Sequence, residues 1–191
     1  MSAFEFFFTF YSLILGLGIA ELLSGFARAW RVHKLGRHAI AALLLGILIA
    51  WEIMFVWMAG WHQFKDIAVE LRNLALPLVI GGTYYVAAHM TFPERPEEWE
   101  TLDAYYDTVK ARVASAALVA NLMIILLVDY SSIAAMIAHA QWQRLFLFYL
   151  PFNLCVLGAW LTLVLAKRRR WDYAAMGLLF LWYGWIMARG Y

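Results

Sequence analysis

The sequence predicts an all-α membrane protein, a compact bundle of six transmembrane helices with both termini on the outer side. Three observations predict it. The chain is 65% hydrophobic and only 15% charged, with a mean hydropathy of +0.70, whereas soluble domains carry about 25% charged residues. Its apolar residues form six continuous runs, not the short alternating segments of a β-barrel. Its lysines and arginines gather in alternate connectors, the pattern of the positive-inside rule. At about 20 residues per crossing, 191 residues hold six spans and no separate soluble domain.

The runs lie at about 4–27, 39–61, 73–92, 113–138, 145–166 and 173–188. The first begins at Phe4, and no Lys or Arg precedes Arg28. A secretory signal carries a positive segment ahead of its apolar core, so this run reads as a retained first span. Between the third and fourth runs lies the one sizeable polar piece, 93–112. Pro96 suits a first helical turn, and Glu97 and Glu98 suit its positive end. Trp99, Leu102, Tyr106 and Val109 recur at helical spacing, which predicts an amphipathic cytoplasmic helix before the fourth span. That helix lies along the membrane or runs straight into the span, and it braces the bundle or docks a protein partner. The last run is the shortest.

Orientation follows from charge. The connectors after the first, third and fifth runs carry eleven Lys and Arg, against four on the other side. The first group therefore faces the cytoplasm, and both termini face the periplasm of a bacterial inner membrane. Trp61, Trp142 and Trp185 fall near the outer boundary and Trp30, Trp99 and Trp171 near the inner one, as an interfacial belt requires. The basic cluster Lys167–Arg170 sits beside a membrane end. Topology and anionic lipid headgroups explain it without nucleic acid.

Small residues recur every fourth position: Ser12, Gly16, Ala20 and Ser24 in the first run, and Ala42, Gly46 and Ala50 in the second. Such ridges permit close backbone approach in lipid. They predict a tight pairing of the first two spans, with a subunit interface as the competing use. One proline in each half, Pro77 and Pro151, is the only sequence sign of an inverted repeat.

The polar residues inside the runs carry the functional reading. Counting about 1.5 Å per residue, Glu52, Asp129, Asn153, Tyr11, Ser12 and Tyr183 share a layer roughly 12–15 Å below the outer surface. A carboxylate exposed to hydrocarbon costs about 2.5–3.5 kcal/mol, so such acids face other helices or water. The expectation is an outward-facing polar cavity with Glu52 and Asp129 as its charged members. Two carboxylates within reach of each other favour a shared proton or a bound cation. The competing expectation is that each acid is hydrogen-bonded to Asn121, Asn153, Tyr130, Ser131 or Ser132. A secondary polar set is Glu21, Asn121 and His89, with Glu21 read as a charge-paired packing residue near Arg28 and His89.

No zinc-protease, nucleophile-elbow, P-loop or dinucleotide motif is present, so no catalytic residue is assigned. The lone Cys155 reads as a buried small hydrophobe and excludes an intrachain disulfide. His62 and His139 fall at the outer boundary, but neither a CxxCH motif nor an i, i+4 histidine pair supports haem or metal there. No cofactor is expected. Two functions follow. The leading one is a transporter or channel-like protein for a proton, small cation or small polar solute. The alternative is a non-transporting scaffold or accessory subunit. It assembles through the small-residue faces and the 93–112 segment. Membrane lipids and further copies of the chain, as a homo-oligomer, are the expected partners.

Overall fold

The computed structural model describes residues 3–32, 39–63 and 71–188. Among them every regular element is helical. In order these are α1 (Ala3–Arg31), α2 (Ile40–Gln63), α3 (Leu71–Thr91), a short 3-10 turn (Pro96–Glu98), α4 (Leu102–Met123), α5 (Tyr130–Ala138), α6 (Trp142–Arg144), α7 (Leu150–Leu165) and α8 (Arg169–Ala188). Residues Lys34, Arg37, Lys65 and Arg189, counted above for orientation, lie outside the described residues.

Among the described residues four stretches are long and apolar enough to cross a membrane: Phe4–Arg31, Ile40–Trp61, Leu102–Leu126 and Trp142–Leu165. The expected third and sixth spans form helices of 21 and 20 residues, but neither is among those four. α8 opens on Arg169, Arg170 and Asp172, which dilute its apolar run, and the side chains of 71–74 at the start of α3 lie outside the described residues.

Each helix buries a stripe set by its sequence. On α2 the buried residues include Leu45, Leu48, Ile49, Glu52, Ile53 and Val56, the i, i+3, i+4, i+7 pattern of one helical face. α4 buries Ala114, Ala117 and Ala120, and these small side chains let its neighbours approach closely. Outward faces stay apolar: Leu13, Leu154, Leu165 and Leu181 are each more than 60% exposed.

The 93–112 segment runs straight into the fourth run. After the 3-10 turn, the Thr101 hydroxyl accepts from the Ala104 amide at 3.1 Å, an N-cap. α4 then continues from Leu102 past the expected start at 113. The predicted amphipathic face turns inward, with Leu102, Tyr106 and Val109 buried.

The expected straight fourth and fifth spans are interrupted. Wide π-turns occupy Ile124–Val128 and Leu145–Tyr149. The first ends at Asp129, whose amide donates to the Ile124 carbonyl at 2.9 Å. The second ends two residues before Pro151. Proline has no N–H to offer the preceding turn and its ring crowds that turn's carbonyl, so the helix widens there.

Helix pairing corrects the small-residue reading. α1 packs most extensively on α3, and less on α2. A Cβ on Gly16 meets nothing within 4 Å, and Gly16, Ala20 and Ser24 are exposed. On α2, Gly46 of the expected ridge does approach closely, since a Cβ there would lie 2.9 Å from Phe92 Cζ, and the other close approaches come from glycines outside the two ridges. A Cβ on Gly25 would lie 2.7 Å from Phe92 Cβ, and one on Gly81 2.7 Å from Ile14. The four-residue spacing marks a ridge correctly, but bulky neighbours decide which face of α1 is covered.

Candidate functional site

Glu52 is the centre of the bundle's polar interior. It lies on the buried stripe of α2 and is 2% exposed. Four donors from four other helices converge on it. On Oε2, the Tyr84 hydroxyl of α3 donates at 2.8 Å and Asn121 Nδ2 of α4 at 3.1 Å. On Oε1, the Trp160 indole N–H of α7 donates at 2.8 Å, and the Tyr183 hydroxyl of α8 donates as well. A carboxylate offers about four lone-pair sites, and here each oxygen receives two donors. Asn121 Nδ2 also lies 3.3 Å from the Tyr84 hydroxyl and 2.9 Å from the Ala117 carbonyl. Trp160 and Tyr84 have no solvent exposure. Phe55 stacks on the Tyr183 ring at 4.8 Å, and Trp51 meets it edge-on.

Asp129 is half-buried and held differently. The Tyr149 hydroxyl donates to its Oδ2 at 2.9 Å, so the ends of the two π-turns are tied together. Asn153 Nδ2 donates to the Tyr149 carbonyl at 2.9 Å. Thus Glu52 and Tyr183 of the expected layer meet directly, and Asn121 of the secondary set joins them. Asp129 and Asn153 meet through Tyr149, which carried no role in the sequence reading. Tyr11 donates to the Val56 carbonyl at 3.2 Å, and the Trp57 indole donates to Ser12 at 2.8 Å. These two contacts staple α1 to α2 beside the Glu52 cage.

At the end carrying the basic connectors, a second set of charges is paired. Glu21 lies 3.1 Å from Arg28 and 3.3 Å from His89 Nδ1, and His89 Nε2 lies 3.2 Å from Glu94. Lys110 grips Asp172, which has no exposure, at 2.7 and 2.9 Å. Lys110 also donates to the Ala166 carbonyl at the end of α7 at 2.8 Å. Arg169 reaches Asp107 at 2.8 Å and Asp103 at 3.7 Å and lies 4.6 Å over the Tyr106 ring.

Sequence reasoning missed both Tyr84 and Trp160 as partners of Glu52. Tyr84 falls in register with Ile80, Ala87 and Ala88, and Trp160 with Val156, Ala159 and Leu163, the buried stripes of their helices. Asp172 was also missed as a buried ion-pair partner.

Among the described residues no group of three or more His, Cys, Asp or Glu is placed to hold a metal ion. His139 ends α5, and the side chain of His62 lies outside the described residues.

An all-helical bundle with four helices of membrane-spanning length and apolarity, closed around a buried carboxylate, has the build of a helical membrane protein. No family model, curated protein or solved structure matches the chain.

Proposed function

We propose that the chain is a non-transporting scaffold or accessory subunit of a bacterial inner membrane, and that Glu52 is the internal anchor of its bundle. The supporting observation is the donor set at Glu52: four donors fill its lone pairs, and it is 2% exposed. A dry, donor-complete carboxylate fastens α2 to α3, α4, α7 and α8. It does not offer a coordination position to a passing solute. In this reading α3 and α8 complete six spans, with termini outside and basic connectors inside. A protein partner is met at the acidic turn Glu94, Glu97, Glu98 and Glu100, whose side chains are exposed, and copies of the chain meet along the uncovered ridge of Gly16, Ala20 and Ser24.

A second reading, transport of a proton, small cation or small polar solute, is favoured by one specific feature. All four donors at Glu52 are neutral, so a proton or cation is left to balance its charge. Flux measurements in liposomes separate the two. For the scaffold, proton, sodium and potassium flux with wild-type protein equals that of protein-free vesicles, and Glu52→Gln changes nothing. Flux in the wild type that disappears in a folded Glu52→Gln variant overturns the scaffold and establishes transport.

A further inference from the structure

We propose that the junction of α7 and α8 binds an anionic phospholipid, with its phosphate on Lys167, Arg168 and Arg170 and an acyl chain along the outer face of α8. Four basic residues follow one another at 167–170, but only Arg169 is used inside the fold, on Asp107 and Asp103. The nearest acid in sequence, Asp172, has both oxygens on Lys110. Lys167, Arg168 and Arg170 are exposed and make no ion pair with any described residue. The fold thus leaves three cations within four positions uncompensated.

Their surroundings specify the anion. Arg170, Trp171 and Ala174 line an open groove of about 280 Å³. The Arg170 guanidinium sits 5.6 Å from the Trp171 ring, and Trp171 is 53% exposed. Trp at the headgroup level is the usual interfacial anchor. From Arg170 the same face of α8 continues through Ala174, Leu178 and Leu181, a helical spacing of four, four and three. Leu178 is 44% and Leu181 76% exposed. The face therefore passes from cationic to apolar within about two turns. An inorganic phosphate or a nucleic-acid backbone satisfies only the first part of it. A phospholipid satisfies both. The proposal stands whichever reading of Glu52 holds.

The test is lipid retention by the full-length protein in neutral detergent, read by native mass spectrometry. Phosphatidylglycerol is compared with phosphatidylcholine of the same acyl chains, each with and without excess inorganic phosphate. The wild type is expected to retain phosphatidylglycerol selectively and to keep it against phosphate. Lys167→Gln, Arg168→Gln and Arg170→Gln, alone and together, are expected to weaken retention by about fivefold per charge removed. Arg95→Gln, an exposed cation already paired with Glu98 at 3.0 Å, is expected to leave it unchanged. Equal retention of the two lipids, full retention by the triple variant, or displacement by phosphate each overturns the proposal. Unchanged melting temperatures confirm that these solvent-facing substitutions leave the fold intact.

Discussion

The indole of Trp160 donates to Oε1 of Glu52 at 2.8 Å, joining residues 108 positions apart in the chain. Because neither residue reaches solvent appreciably, water cannot replace the bond when one partner is removed. A buried donor left unsatisfied costs about 1–3 kcal/mol. Glu52→Leu orphans four donors at once and is expected to destabilise the detergent-solubilised protein by at least about 3 kcal/mol. Glu52→Gln keeps one acceptor oxygen and is expected to lose less. Trp160→Phe removes a single donor. A double-mutant cycle between Trp160→Phe and Glu52→Gln is expected to give a coupling of about 0.6–1.7 kcal/mol, the range for interhelical bonds in membranes. Equilibrium unfolding in mixed micelles measures all three. A Glu52→Leu variant as stable as the wild type would show that the cage holds nothing together.

Counting residues along each apolar run gives depth, and depth was enough to group Glu52 with Tyr183 and to set Asn121 as a partner for an acid. Depth says nothing about direction around the helix axis. The azimuth of Tyr84 and Trp160 is fixed by which of their neighbours are bulky and which are alanine, a property of helix pairs and not of one run. The π-turns at Ile124–Val128 and Leu145–Tyr149 are invisible for a related reason. An extra residue in a turn leaves an apolar run apolar, and only Pro151 hints at the second. The ion pair of Lys110 with Asp172 joins side chains 62 positions apart. In the sequence each reads as a solvated charge at a membrane end, because pairing across that distance leaves no local pattern.

That pair makes a separate prediction. Asp172 has no exposure, and the Lys110 side chain is 12% exposed. Removing one partner leaves a buried charge alone, which costs about 3–5 kcal/mol. Lys110→Met is therefore expected to unfold at markedly lower temperature than the wild type. Replacing both partners, Lys110→Met with Asp172→Leu, removes the charge as well as its partner and is expected to recover most of the loss. If the double variant is no better than Lys110→Met, the damage comes from the Lys110 bond to the Ala166 carbonyl and not from an orphaned acid.

The glycines of α1 divide by face. Gly25→Ala places a methyl 2.7 Å from Phe92 Cβ, an atom fixed to the backbone just past the end of α3. Overpacking of this kind costs about 1–3 kcal/mol. Gly16→Ala meets nothing within 4 Å, and in a helix interior alanine gains about 0.5–1 kcal/mol over glycine. The first substitution is expected to lower the melting temperature and the second to hold or raise it. Gly16→Ala has a second readout. Were copies of the chain to pack along that ridge, the added methyl would weaken the oligomer seen by analytical ultracentrifugation while the monomer fold stayed sound.

Whether α3 and α8 cross the membrane can be read by labelling. In a Cys155→Ala background, single cysteines at Gln63 and Glu97 bracket α3, and at Lys167 and Ala188 bracket α8. Six spans put Gln63 and Ala188 on the outer side and Glu97 and Lys167 on the inner side, since each bracketed helix must change sides. If only the four most apolar helices cross, both members of each pair lie on one side. A membrane-impermeant maleimide applied to intact cells is therefore expected to label Gln63→Cys and Ala188→Cys, and to reach Glu97→Cys and Lys167→Cys only after permeabilisation. The charge asymmetry of eleven against four favours the six-span outcome. Dropping α3 and α8 from the crossing set would put the basic residues around 95–112 and 167–170 on the same side as Lys65 and Arg72 and leave the 28–37 cluster and Arg144 opposite them, a smaller asymmetry of ten against five.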